Sequence, residues 1–364
     1  MKKILLVFVL LAFPMISLAA EEPNEDYFKA RVVEVIESQE IDRGDDSISH
    51  QQHLKLIGIS DDFVDHEFEF SNIGFDVLAY QGYDIGDKVY AYRTVNYDGN
   101  TNYYITDYVR QNLLIWPALI FALLVVVIGK LRGFRAIVAL GVSFLVILYF
   151  ILPSIVDGYN PILITILGSS IIILISFLIT YGFNKKSYLA ISATFMGLII
   201  VVLLSLFFTS LLRLTGFGVE GMQFLIGISD QAINIQGLLL AGMIIGSIGI
   251  LTDVSISQVS LVKELVEANK KQTRREVYKK SMNVGVDHIG SMVNTLALAY
   301  AGAALPLLIL FSADQIRYSS FGQVLNTEMI ATEIIRTLVG SIGLILVVPI
   351  ASLFAVLVYN KKLK

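Results

Sequence analysis

The chain contains no cysteine, so disulfide frameworks, thiolate metal sites and cysteine nucleophiles are all excluded. Charged residues make up only 16% of its 364 residues, against 55% hydrophobic, too few to solvate the surface of a soluble domain of this size. No GxxxxGK[ST] segment occurs, which removes ATP binding by a phosphate-cradling loop of that type. No GxSxG elbow occurs either, and no motif in the chain names a cofactor. What is present is apolar sequence in long runs, with a mean hydropathy of +0.70, and it points to an α-helical polytopic membrane protein.

The N-terminus, MKKILLVFVLLAFPMISLAAEE, has two lysines, a short apolar run broken by Pro14, and the small-residue exit Ser17-Leu18-Ala19. That is the tripartite pattern of a secretory signal peptide over residues 1–20, with cleavage expected near Ala19 or Ala20. Residues 21–110 carry 20 Asp or Glu against 7 Lys or Arg. Their apolar residues alternate: ARVVEVIE, HLKLIGI, HEFEF, KVYAYRTV and NYYITDYV read as short strands separated by turns such as YDIGDK and YDGNTN. A small, mainly β ectodomain, barrel or sandwich, is expected. Its acidity disfavours nucleic acid as a partner, because phosphate attraction needs clustered Lys and Arg. His50, His53 and His66 with Asp65 invite a metal hypothesis, although they lack the fixed spacing of a helical metal motif.

After Arg110 the hydropathy predicts seven spans, near 112–129, 136–154, 161–182, 188–211, 237–258, 285–311 and 329–358, forming a transmembrane domain over 111–360 with a basic tail at 361–364. Fifteen basic residues fall in connections on one side: Lys130, Arg132 and Arg135, then Lys185 and Lys186, the cluster from Lys263 to Lys280, and the tail. Only Arg213 and Arg317 lie in loops on the other, so the positive-inside rule puts the C-terminus in the cytoplasm. The signal peptide independently puts residues 21–110 outside, which predicts a multi-pass protein of the cell membrane. Two readings stand for the segment 263–280, a surface for anionic lipid headgroups or a partner and a solvated helical hairpin between the fifth and sixth spans; the hairpin is the one expected, since charge runs at membrane edges are usual.

Two spans carry carboxylates. In the sixth, Asp287, Ser291 and Asn294 recur at i, i+4 and i+7, which puts them on one helical face; in the fifth, Asp253, Ser257 and Ser260 repeat that spacing. An intramembrane carboxylate costs roughly 2.5–3.5 kcal/mol on insertion scales and normally faces a cavity or a partner. If the consecutive, antiparallel helices turn the two aspartates toward each other, the pair can share a proton or clamp a cation with the Ser and Asn oxygens as further ligands. The opposing reading is that Ser and Asn are glue between helices and that Asp near a span end reaches the interface. His288 lies off the Asp287 stripe and is expected at the membrane interface. Glu333 and Arg336, at i and i+3, are spaced as an ion pair or an outer gate. Gly242, Gly246 and Gly249, and again Gly340 and Gly343, read as helix-packing faces.

The segments INIQGLLLAGMIIGSIGILTDVSISQ (233–258), MNVGVDHIGSMVNTLALAYAGAALP (282–306) and TEIIRTLVGSIGLILVVPIASL (332–353) resemble the YibE/F family of bacterial multi-span membrane proteins. IGDKVYAY and NYYITDYVR, before the first span, resemble it too. The resemblance brings no established substrate or reaction. It implies that Asp253, Asp287, Asn294, Glu333 and Arg336 sit in family-typical segments, and it suggests a paralogous membrane protein or a second copy as partner. Three functions stand open: a permease or transport component, a non-catalytic assembly or sensing protein whose ectodomain binds a partner, and an intramembrane aspartyl protease. The last is disfavoured, because VGVD is a near miss of the protease GxGD pattern and ILTD lacks the tyrosine that usually precedes the other aspartate.

Overall fold

The computed structural model describes residues 26–42, 48–74, 82–95, 101–219, 233–312 and 321–360. The signal-peptide region 1–20 and the tail 361–364 lie outside the described residues. The chain divides into two compact units at Leu124/Val125.

The first unit holds five strands: β1 (Asp26–Asp42), β2 (Ile48–Gly58), β3 (Glu67–Ser71), β4 (Lys88–Val95) and β5 (Thr101–Tyr108). Every one coincides with an alternating stretch of the sequence. All pairings are antiparallel and the order is β3-β2-β1-β4-β5, so the long β1 serves both halves of the sheet. Register shifts at Val32/Glu34 and Val35/Glu37 mark bulges, which add twist and curl the sheet. The curl lets side chains of the two edge strands meet: Phe68 of β3 stacks on Tyr103 of β5 with ring centres 4.5 Å apart. The result is a half-barrel. Phe28, Ala30 and Val32 of β1, Leu54 and Leu56 of β2, and Val89 and Ala91 of β4 fill it, each pair two residues apart as the pleat requires.

The second unit is helical, and the helix that leads into it begins within the first. Helix α1 (Gln111–Val146) breaks at Lys130, whose φ of 49° and ψ of −133° are not helical, and it continues through a π-turn (Ile147–Ile151) into α2 (Leu152–Val156). Then come α3 (Pro161–Tyr181), α4 (Lys185–Leu211), α5 (Ile235–Ala268), α6 (Arg274–Ala303), α7 (Leu305–Ser312), α8 (Phe321–Leu325) and α9 (Glu328–Tyr359). The starts are written in the sequence. Asn160, Asn184 and Asn234 cap α3, α4 and α5, each side-chain oxygen accepting a first-turn N–H, and Pro161 occupies the first position of α3, where no N–H is needed. Thr273 and Glu276 form a reciprocal capping box that opens α6. The expected hairpin over 263–280 is therefore the end of α5, a short turn, and this cap.

Five helical stretches among the described residues are long and apolar enough to cross a membrane: Gln111–Val156, Pro161–Tyr181, Lys185–Leu211, Ile235–Ala268 and Glu328–Tyr359. The seven-span reading differs from this in two places. The expected spans 112–129 and 136–154 lie on either side of the break at Lys130, within one apolar stretch of 46 residues. At 1.5 Å per residue that is roughly 70 Å, about twice a hydrocarbon core. The expected span 285–311 is divided at Ala304 between α6 and α7, and α6 is too polar to qualify by composition.

Helices α3, α4, α5 and α9 make the core, with Val201, Leu251, Val254, Leu344, Val347 and Val348 fully buried in one cluster and Ile173, Ala190, Val259 and Ala351 in another. Glycine permits the close crossings. A Cβ on Gly343 of α9 would stand 2.5 Å from Val201 Cγ2 of α4, and one on Gly285 of α6 would stand 2.6 Å from Val348 Cγ1 of α9. Two polar locks hold the bundle as well: Ser352 Oγ donates to Gln258 Oε1 (3.1 Å), and Arg274 Nε donates to the carbonyl of Asn360 (2.9 Å).

Candidate functional site: polar groups on the fifth, sixth and ninth helices

Helix α6 has two unlike faces. Val277, Ser281, Gly285 and Leu296 are buried, and Gly285 sits against Val348 of α9 and Gln258 of α5. Asp287 follows Gly285 by two residues, about 200° around a helix, so it turns away from both neighbours. Asp287, Ser291 and Asn294 are all exposed, and together they form the outward stripe that their i, i+4, i+7 spacing predicts. His288 turns inward instead, with a buried Nε2 that has no hydrogen-bond partner among the described residues.

On α5, Asp253 is exposed and Ser257 half-buried. Ser260 donates its hydroxyl to the carbonyl of Ile256 four residues back, a local bond that leaves it no ligand role there. Gly242 and Gly249 share the exposed arc of Asp253, and a Cβ at either would meet nothing within 4 Å among the described residues. Of the two expected packing faces, then, Gly343 on α9 is one. On α5, Gly246 lies beside the Tyr300 hydroxyl of α6, while Gly242 and Gly249 meet nothing among the described residues; the buried side of the helix is carried by larger residues such as Met243, Leu251 and Val254.

Asp253 and Asp287 each lie on an exposed side of their helix.

Glu333 and Arg336 do meet, at 3.2 Å, with side chains only 26% and 23% exposed. The pair sits near the start of α9, flanking Ile335, whose buried cluster Tyr300 of α6 packs against; the Tyr300 hydroxyl in turn lies beside Gly246 of α5. Arg336 Nε is buried and unpartnered among the described residues. Sequence spacing found this pair and missed Tyr300, which is 33 positions away. It also missed Glu328, whose Oε1 accepts the N–H groups of Thr215 (2.7 Å) and Gly216 (2.6 Å) and whose Oε2 accepts the Thr215 hydroxyl (2.8 Å), tying the turn after α4 to the start of α9.

The histidines of the first unit are dispersed. His50 and His53, three apart on β2, point to opposite faces of the sheet. His53 bonds Glu69 at 2.9 Å, His66 bonds the Tyr103 hydroxyl at 2.9 Å, and His50 lies 3.8 Å from Glu40. No group of three or more His, Asp or Glu among the described residues is placed to hold a metal, so the metal hypothesis finds no support.

A family described as YibE/F-like protein matches residues 117–361, the helical unit from the first turns of α1 through the end of α9. The chain belongs to the YibE/F-like family. No curated protein and no solved structure matches it. Within this YibE/F-like chain, Asp253, Asp287, Asn294, Glu333, Arg336 and Tyr300 all fall inside the matched region, while the five strands precede it.

Proposed function

We propose that this YibE/F-like protein is a multi-pass component of the cell membrane that works in transport, as a permease or a subunit of one, with its β unit outside and its C-terminus in the cytoplasm. Asp253 and Asp287 accept a proton or a cation, each completed by groups outside its own helix pair. The observation that carries this reading is the outward stripe of α6. A carboxylate turned toward lipid costs about 2.5–3.5 kcal/mol on insertion scales and is retained where water, a substrate or another polar chain meets it. A second copy or a paralogous membrane protein provides that cover, and the open glycine arc of α5 beside Asp253 gives such a chain close approach.

The test is Asp253→Asn and Asp287→Asn, each scored for flux or growth and for protein abundance. Loss of activity at normal abundance is expected for both. Full activity in both variants sinks the transport reading. The second reading, an assembly or sensing protein whose ectodomain binds a partner, draws on the first unit having a core of its own; it predicts lowered abundance in these variants and a stable copurifying chain.

A further inference from the structure

The helical unit gathers at one place cations that the sequence scatters over separate connections. Arg132 and Arg135 follow the break in α1, Lys185 and Lys186 open α4, and Lys263 lies near the end of α5; with Glu264 they line a cavity of about 570 Å³. That volume lies within the roughly 300–1,000 Å³ usual for small-molecule sites. Thr180 of α3 and Tyr359 of α9 add hydroxyl groups to its wall, whereas the Ser260 hydroxyl is already given to the Ile256 carbonyl.

The charges there are poorly balanced. Lys263 has a carboxylate partner, Glu267 at 3.6 Å, and Glu264 is the sole acidic residue in the lining. Arg132, Arg135, Lys185 and Lys186 form no ion pair among the described residues; Lys186 instead lies 5.4 Å from the ring centre of Tyr181. The N-terminus of α4, capped by Asn184, adds the positive end of a helix dipole to the same wall. Positive charge on cytoplasmic connections is expected of any membrane protein, and that rule accounts for each basic loop taken alone. It does not account for three of them converging on one walled space with hydroxyl donors, where like charges repel unless an anion is present.

We propose that this cavity binds a phosphate-bearing anion, either the headgroup of an anionic phospholipid or a soluble phosphate compound. The two arginines can each fork onto a pair of phosphate oxygens, the lysines supply point charge, and the hydroxyls donate to the remaining oxygens. The residues involved are different from Asp253 and Asp287, so the inference stands or falls separately from the transport reading.

The experiment uses the purified full-length protein in a neutral detergent at constant ionic strength. One arm titrates inorganic pyrophosphate against sodium chloride; the other titrates phosphatidylglycerol against phosphatidylcholine in mixed micelles. The thermal-unfolding midpoint is read in both. A saturable rise is expected in at least one arm, and the arm in which it occurs identifies the source of the phosphate. In Arg132→Gln/Lys186→Gln the concentration giving half the rise should increase by about tenfold or more, as loss of charge-assisted bonds implies. Lys279→Gln/Lys280→Gln, which removes two exposed cations of α6 outside the cavity, should leave it unchanged. If the first double variant does not fold, Lys185→Gln, an exposed rim position, decides by a several-fold increase. No saturable rise in either arm, or an equal loss in the α6 variant, overturns the proposal.

Discussion

Alanine at Gly343 measures how tightly α4 and α9 cross. The added Cβ would stand 2.5 Å from Val201 Cγ2, a methyl in a fully buried side chain, where an ordinary carbon–carbon contact is about 3.5–4.0 Å. Closing that shortfall of about 1 Å means moving Val201 or the helix, and overpacking of this kind costs roughly 1–3 kcal/mol. Alanine also favours the helix over glycine by about 0.5–1 kcal/mol, which partly masks the clash. Gly242→Ala supplies the reference, since it carries the same propensity gain and its Cβ meets nothing within 4 Å. The difference between the two variants isolates the clash, so Gly343→Ala should be the less stable by about 1–3 kcal/mol. Adding Val201→Ala should shrink that difference by about 1 kcal/mol or more, because it removes the atom being struck. Thermal midpoints at one scan rate in one detergent are the assay. Equal shifts for Gly343→Ala and Gly242→Ala, or a difference that Val201→Ala leaves intact, would refute the close crossing.

The capping box of α6 predicts a pH effect. Hydrogen bonds from the Thr273 N–H and hydroxyl hold the Glu276 carboxyl below its ordinary value of 4.5, so its contribution is present above that value and is lost as pH falls through the lower, folded one. Glu276→Gln should flatten the acid limb of the midpoint-versus-pH curve, and Thr273→Ala should cost about 1 kcal/mol at neutral pH. In the first unit, burial pushes the Tyr83 and Tyr108 hydroxyls above 10.0. Folding stability is therefore full below that value and falls as pH rises through the folded ones, and a Tyr83→Phe difference titration by ultraviolet absorbance should show a late-ionising phenol. Glu328→Ala strands two backbone N–H groups and should lower stability by about 1–3 kcal/mol, with new protease cleavage around residues 212–219.

The strands of the first unit and most of the helices were legible because each rests on local chemistry. Alternating apolar residues mark β1 to β5, and asparagine, proline or a Thr-Glu pair marks the helix starts. The count of spans was not legible, since hydropathy shows neither the break at Lys130 inside the first apolar stretch nor the division of the expected sixth span at Ala304. The stripe of Asp287, Ser291 and Asn294 followed from periodicity. Its direction did not.

Sequence alone determined the membrane class, the β-rich N-terminal unit, the family resemblance and the Glu333–Arg336 pair, because each depends on composition or on residues within a turn of one another. Only the tertiary structure decided that Asp287 faces away from α5, that the Gly242 and Gly249 arc is open while Gly343 is packed, and that Arg132, Arg135, Lys185, Lys186 and Lys263 line one cavity. The physical reason is common to all three. A membrane helix is apolar nearly all round, so its pattern does not encode its rotation, and where a helix has no polar face to orient it, the close approach of backbones at residues such as Gly285 and Gly343 sets which side turns inward.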